Sequence, residues 1–276
     1  MAERIVQEES LTTVADAIRA KGGTTDALSF PTGFADAISA IKAGGGGGDI
    51  DALIDGSITE ITSNVTSVKD YTFYECESLV TANFGNATSI GDYGFYRCHK
   101  LTTINAPNTT SIGTQAFRGC SALSTIDFPK TTKIGGNAFR DCTNLVSVTL
   151  PLVTAIETYA FSECTKLIKC DFPVATSIAG YALQFCYCLT TVILRSETMC
   201  TLSNKNAFGS CNHILGLKDY TYNPDGLEDG YFYVPRALVE SYQTASGWSS
   251  FATQFRALED YTVDGTITGE LDENKI

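Results

Sequence analysis

The sequence predicts an α/β repeat solenoid: a right-handed stack of short coils with parallel strands, a helical hairpin before it and a helical cap after it. Three observations predict this. Side chains of one type recur every 22 residues through the middle of the chain. Within each unit a β-rich run alternates apolar and polar residues. At both ends the period stops and apolar residues take helical spacing instead.

The period is carried by several columns at once. Phe73, Phe95, Phe117, Phe139 and Phe161 stand 22 residues apart, and Leu183 takes the next place. Cys76, Cys98, Cys120, Cys142, Cys164 and Cys186 keep the same step, as do Leu79, Leu101, Leu123, Leu145, Leu167 and Leu189. Val68, Ile90, Ile112, Ile134, Ile156 and Ile178 open each unit, and Pro107, Pro129, Pro151 and Pro173 follow near its end. A degenerate unit from Leu202 through Ala207 and Phe208 to Cys211 comes after a two-residue insertion. One such unit has too few apolar positions to bury them alone. Stacked on neighbours, each column forms a continuous core. Runs such as Leu101 to Ile104 read as short strands of a parallel sheet, and runs such as Ala116 to Cys120 as a tight helical turn opposite them.

The ends read differently. In residues 1–43, Ser10 can cap a helix that puts Leu11, Val14 and Ile18 on one face and stops at Gly22-Gly23; a second helix after Pro31 carries Phe34, Ile38 and Ile41. Forty residues with two such stripes bury too little to fold alone, so these six residues are expected to anchor the chain or join it to copies of itself. Residues 44–49 are a glycine linker, residues 50–215 the solenoid, 216–260 the C-terminal cap and 261–276 a tail. In the cap, Tyr231 to Val234 reads as a last strand. A helical stretch follows with Leu238, Val239, Tyr242, Trp248, Phe251, Phe255 and Leu258, covering the final coil or, alternatively, lining a ligand pocket.

Composition removes several classes of function. The balance of 19 basic and 31 acidic residues gives −12, and no basic cluster offsets it, so nucleic acid is a poor partner. No apolar run approaches the length of a membrane span, and the first residues lack the basic start and apolar core of a signal peptide. The expectation is a protein made and kept in a cytoplasm, with its ten cysteines as thiols.

Candidate chemistry is thin. The column cysteines repeat at the coil spacing of about 4.8 Å, beyond comfortable disulfide reach. No Cys-x-x-Cys pair occurs, and His99 and His213 are the only histidines. Structural thiols are the leading reading; disulfides and a metal site stay open as minor ones. Asp127 and Asp171 occupy equivalent positions two coils apart, a gap loosely compatible with an inverting glycosidase, though exposed solvated carboxylates explain them as well. No catalytic residue, metal or cofactor is implied. Two sets of outward positions could bind. Thr81, Thr103, Thr125, Ser147, Lys169 and Thr191 form one strand row, and Thr88, Thr110, Thr132, Thr154 and Thr176 a second ladder. Stacked hydroxyls suit strands for structural reasons, and the same rows could recognise a protein or glycan. Tyr71, Tyr93, Tyr159 and Tyr181 share one position per coil, and Tyr74 and Tyr96 another; amphipathic rings suit an interface or partial packing.

The run Ile112-Gly113-Thr114-Gln115-Ala116-Phe117-Arg118-Gly119-Cys120-Ser121-Ala122-Leu123-Ser124-Thr125-Ile126 resembles the unit of the BspA-type leucine-rich repeat family, over about residues 58–215. Thr72 in place of Ala and Leu183 in place of Phe depart from the pattern. The resemblance implies a leucine-rich-repeat-like solenoid used for adhesion or recognition, with no shared enzymatic activity. Residues 10–41, with Ala15 to Gly23 and Phe30-Pro31 before Gly33-Phe34, resemble N-terminal segments of phage and prophage structural proteins of gut bacteria. Tyr261 to Leu271 is similar to tails of the same group. These imply a non-catalytic, virion-associated homo-oligomer, anchored through its N-terminal segment to tail or baseplate proteins and presenting its repeats to a protein or glycan on a cell surface. A bacterial adhesin-like interaction protein is the alternative, and a glycan-cleaving enzyme a more distant one.

Overall fold

The computed structural model describes residues 58–215 and 229–260. The expected hairpin with Leu11, Val14, Ile18, Phe34, Ile38 and Ile41, the glycine linker, the tail and residues 216–228 of the cap lie outside the described residues.

The chain winds into stacked coils joined by three hydrogen-bonded ladders. The long ladder consists of three-residue strands whose centre is buried; both flanks face out except at Asp171 and Ile193, which are buried as well. Glu60–Thr62, Thr81–Asn83 and Thr103–Asn105 form one parallel group. Ser147–Thr149, Lys169–Asp171 and Thr191–Ile193 begin a second. Alternation in these runs selects the strand, because β-branched residues suit a pleated, half-buried surface.

A second, short ladder was not expected as sheet. Two-residue strands Ser67–Val68, Ser89–Ile90, Ser111–Ile112 and Lys133–Ile134 pair in parallel. Ala155–Ile156, Ser177–Ile178 and Thr201–Leu202 do the same. The step from Ser177 to Thr201 is 24 residues, which absorbs the two-residue insertion.

The third ladder corrects the expected helical turn. Tyr71, Tyr93, Gln115, Asn137, Tyr159 and Tyr181 have φ between 56° and 64°, and Glu75, Arg97, Asp141, Glu163 and Phe185 fall between 54° and 64°. Left-handed residues at such intervals break a helix and belong to tight turns that need positive φ at their third position. The turns close on Thr72 N–H to Lys69 O, Tyr74 N–H to Tyr71 O and Cys76 N–H to Phe73 O. The intervening amides reach the next coil instead: Tyr71 N–H to Asp92 O, Phe73 N–H to Gly94 O and Glu75 N–H to Tyr96 O, at 2.7–2.9 Å. Alternate amides thus bond within and between coils, leaving few buried donors unmet.

Between the ladders runs the core. Phe73, Phe95, Phe117, Phe139 and Phe161 stack face to face with centroids 5.1–5.4 Å apart. Phe84, Ala106, Phe128, Leu150, Phe172 and Leu194 form a second buried row, in which a phenylalanine occupies every other coil. Phe84 and Phe128 each sit 5.7–6.2 Å from two rings of the main stack. Alternating large and small residues let this row interdigitate.

Tyr231–Val234 joins the long ladder as expected, with Tyr231 in register with Thr191. It is not the last strand. The short helix α1, Val239–Thr244, leads through a 3-10 segment at Ser249–Gln254 to Phe255–Ala257, which pairs beyond it. Phe255, expected on a helix, is therefore in a strand. Trp248 and Phe251 are fully buried against Phe208 and Phe232, and Tyr242 is fully buried against Trp248 and Phe255, so they form the cap and do not line a pocket.

Candidate functional site

The long-ladder row is held in register by the backbone. Thr81 pairs with Thr103, Ser147 with Lys169 and Lys169 with Thr191. Thr103 and Thr125 are exposed, whereas Thr81, Lys169 and Thr191 are half-buried. Thr125 lies in a coil that forms no long-ladder strand. The row is therefore two aligned groups with Thr125 between them. Tyr231 extends it by one coil, and the Arg256 guanidinium lies 4.1 Å over its ring. That extension is invisible to a 22-residue repeat, because Tyr231 follows Thr191 by 40 residues.

Four of the five threonines of the second ladder are committed to the stack. Thr88 Oγ1 donates to Thr66 O at 3.0 Å, Thr110 to Thr88 O at 3.0 Å, Thr132 to Thr110 O at 3.2 Å and Thr176 to Thr154 O at 3.1 Å. Thr102 and Thr190 likewise donate to Val80 O and Ile168 O. These hydroxyls tie one coil to the one before it.

The tyrosines gather into two patches on the turn side. Tyr71 stacks on Tyr93 at 4.8 Å and Tyr74 on Tyr96 at 4.9 Å, with cross distances of 5.6–6.4 Å. Tyr159 stacks on Tyr181 at 5.1 Å. Gln115 and Asn137 separate the patches, and Gln115 Nε2 donates to Tyr93 Oη at 2.7 Å. Arg97 and Arg118 lie over Tyr96 and Arg140 over Tyr159, at 5.2–5.8 Å. A stacked ring covers its neighbour's face, so these columns offer edges and hydroxyls more than ring faces. Desolvation, with the Glu75 charge beside it, pushes the Tyr74 phenol above its ordinary range and keeps it a donor.

The cysteine column has a structural explanation that the sequence did not show. Cys98 Sγ donates to Phe73 O at 3.0 Å, Cys120 to Phe95 O at 3.1 Å, and Cys142, Cys164 and Cys186 to Phe117, Phe139 and Phe161 O at 3.2 Å. All ten cysteines are free thiols. Burial pushes those of Cys120, Cys142, Cys164 and Cys186 well above the ordinary range, and those of Cys76 and Cys200 to about 12. Among the described residues no group of three His, Cys, Asp or Glu is gathered to hold a metal.

The carboxylate pair separates in the same way. Asp127 is exposed, but Asp171 is 8% exposed and receives Arg195 Nε at 3.2 Å and Nη2 at 2.8 Å. Asp171 is thus a fixed ion-pair partner, not the solvated carboxylate expected.

A groove of about 700 Å³ runs across five coils beside the short ladder, between Asp70 and Asp92 at one end and Lys133 and Glu157 at the other. Its floor is the column Gly91, Gly113, Gly135. A Cβ at these positions would meet backbone of the preceding coil at 2.5–2.8 Å, so only glycine lets the coils approach as they do. Sequence reasoning missed this groove, although the glycine column was its signal.

Residues 56–151 and 110–222 match the BspA type leucine rich repeat region, in six copies. Three solved structures are similar. A leucine-rich repeat protein of T. pallidum shares 28% identity over 48% of this chain and 68% of that one, with a TM-score of 0.47. A leucine rich cell surface protein of Faecalibacterium prausnitzii shares 28% over 51% and 44%, with 0.42, and a leucine-rich repeat protein of Eubacterium ventriosum 18% over 62% and 49%, with 0.41. The chain thus spans less than half the length of the last two. No curated protein matches it. With more than half of its length matched, the chain belongs to the BspA type leucine-rich repeat family.

Proposed function

We propose that this protein is a non-catalytic recognition scaffold whose long-ladder face engages a protein or glycan on a cell surface. The observation that carries the reading is a division of labour among the hydroxyls. The threonines of the short ladder donate to carbonyls of the stack. Among the described residues Thr81, Thr125 and Lys169 make no such bond; backbone register aligns Thr81 and Lys169 with their neighbours, and Thr125 lies between the two aligned groups. Groups with satisfied partners hold the scaffold, and groups without them are available to a ligand. Repetition along the stack gives multivalent contact from individually weak sites. The tyrosine patches, rigid and flanked by arginine, supply the residue types that dominate protein interfaces.

The finer reading places the scaffold on a phage or prophage-derived particle. Its support is the resemblance of residues 10–41 and 261–271 to segments of phage structural proteins. On this reading Leu11, Val14, Ile18, Phe34, Ile38 and Ile41 form the contact with tail or baseplate components and with further copies of the chain.

The test uses the full chain in a binding screen against bacterial surfaces, purified glycans and surface proteins. For any ligand found, Thr103→Glu and Lys169→Glu are expected to weaken binding about tenfold or more, with unchanged circular dichroism. Binding that survives both substitutions, and Tyr93→Ala as well, moves recognition off these rows. Mass spectrometry of purified phage particles from the producing strain tests the virion assignment; its absence from them rules that assignment out.

A further inference from the structure

We infer that the solenoid is two rigid blocks joined by a single-step hinge between the coil of Thr132–Gly136 and the coil of Thr154–Glu157, and that Glu157 keeps this step open. The short ladder is uniform on either side. Each step is made by a threonine amide and its hydroxyl donating to the threonine carbonyl one coil back, and by a second amide after the strand. Gly91, Gly113 and Gly135 N–H donate to Val68, Ile90 and Ile112 O, all at 2.8 Å. Beyond the break, Ala179 and Ser203 N–H donate to Ile156 and Ile178 O at 2.8 and 3.0 Å. At the intervening step every one of these bonds is missing. Among the described residues, neither Thr154 N–H nor its hydroxyl reaches Thr132 O, Glu157 N–H does not reach Ile134 O, and Lys133–Ile134 does not pair with Ala155–Ile156.

The long ladder loosens in the same coil. Its two groups end at Thr103–Asn105 and begin again at Ser147–Thr149, and Ser124–Ile126 between them forms no strand. Ser124 O accepts Val146 N–H at 3.1 Å, whereas Thr131 Oγ1 and Lys130 Nζ hold on to Thr109 O and Asn108 Oδ1 behind them. The break therefore crosses the stack diagonally through one coil, part of which belongs to each block.

The turn ladder does not break. Asn137, Phe139 and Asp141 N–H donate to Thr158, Ala160 and Ser162 O at 2.8–3.0 Å, and Phe139 stacks on Phe161 at 5.4 Å. Two ladders that open and one that holds define a hinge axis along the turn side, with motion that widens or narrows the strand faces. The closed steps of the first block land on glycine, where a Cβ would meet backbone at 2.5–2.8 Å; the open step lands on Glu157, which has one. Beyond the break the equivalent position is held by Ala179 and Ser203, whose amides bond the preceding coil at 2.8 and 3.0 Å. Glu157 is the first residue with a Cβ after the three glycines, and it stands at the step where their close approach would have to continue.

Amide hydrogen exchange on the full chain, followed by NMR, reads this directly. Protection follows the free energy of local opening. Thr154 and Glu157 amides are expected to exchange about 100-fold faster than those of Thr132, Gly135, Thr176 and Ala179. In Glu157→Gly, Thr154 is expected to slow by about tenfold or more as the step closes. Equal protection across all six amides in the unsubstituted protein overturns the hinge. Fast exchange that Glu157→Gly leaves unchanged overturns the role of Glu157.

Discussion

A buried thiol in this molecule is both a small apolar side chain and a hydrogen-bond donor. Serine would supply a donor that is shorter and more polar; alanine would supply none and leave the preceding phenylalanine carbonyl with one bond fewer. Because the thiolate is the reactive form, thiols whose ionisation is suppressed by burial are protected from reagents. In the native protein an aromatic disulfide reagent at pH 8 is expected to modify Cys188, which is half-buried, while the column reacts only on unfolding. Fast modification of several thiols under native conditions contradicts this. The same shifts act on stability. Unfolding releases Cys76 and Cys200 from about 12 to near 9.0, so the unfolded chain loses these protons first as the pH rises. Their contribution is complete below pH 9 and is lost progressively between about 9 and 12. Thermal melts across that range are expected to fall, and a melting temperature flat to pH 11 contradicts the burial.

At the scale of elements, two side chains of the cap bond one backbone unit of the stack. Cys200 N–H donates to Tyr242 Oη at 2.6 Å, and Trp248 Nε1 donates to Cys200 O at 2.7 Å. Both residues are fully buried. Tyr242→Phe keeps the ring and strands the Cys200 amide, so it is expected to cost about 1–3 kcal/mol, measurable by denaturant unfolding; a cost near zero means the amide finds another partner. The column identities, the strand row and the insertion before Leu202 were legible because each repeats, and repetition is a property of sequence. The reason for the cysteines was not, since it depends on where a carbonyl points. The turn ladder was hidden because its left-handed residues are mostly Tyr, Gln, Asn, Glu, Arg, Asp and Phe, with glycine at one place in the column, Gly119. Trp248, Phe251 and Phe255 are spaced like a helix face, and pairing with Tyr231–Val234 overrode that periodicity at Phe255. Of the candidate site, the rows could be read, but not which hydroxyls the stack would use.

For the whole molecule, the end of the stack is the exposed hazard. Without residues beyond 228, the strand Thr191–Ile193 would show an open parallel edge, and the buried Phe208 would lose Phe232, Trp248 and Phe251. Unpaired edges and bared aromatic surface recruit other chains. A chain ending at residue 228 is expected to form large assemblies in light scattering, whereas the full protein shows a discrete mass. A truncated chain with an unchanged discrete mass would mean that the stack needs no cover.

The left-handed backbone at Tyr93, Arg97, Gln115 and Asn137 has a consequence for how the array can arise. Such a residue in isolation is uphill by about 1–2 kcal/mol, and here it is offset by an amide bond to the following coil. A lone unit would relax out of this shape, so the winding is cooperative: each loop is held by the coil that follows it. Growth of the array, in synthesis or by duplication, is then favoured at a standing end and disfavoured from nothing.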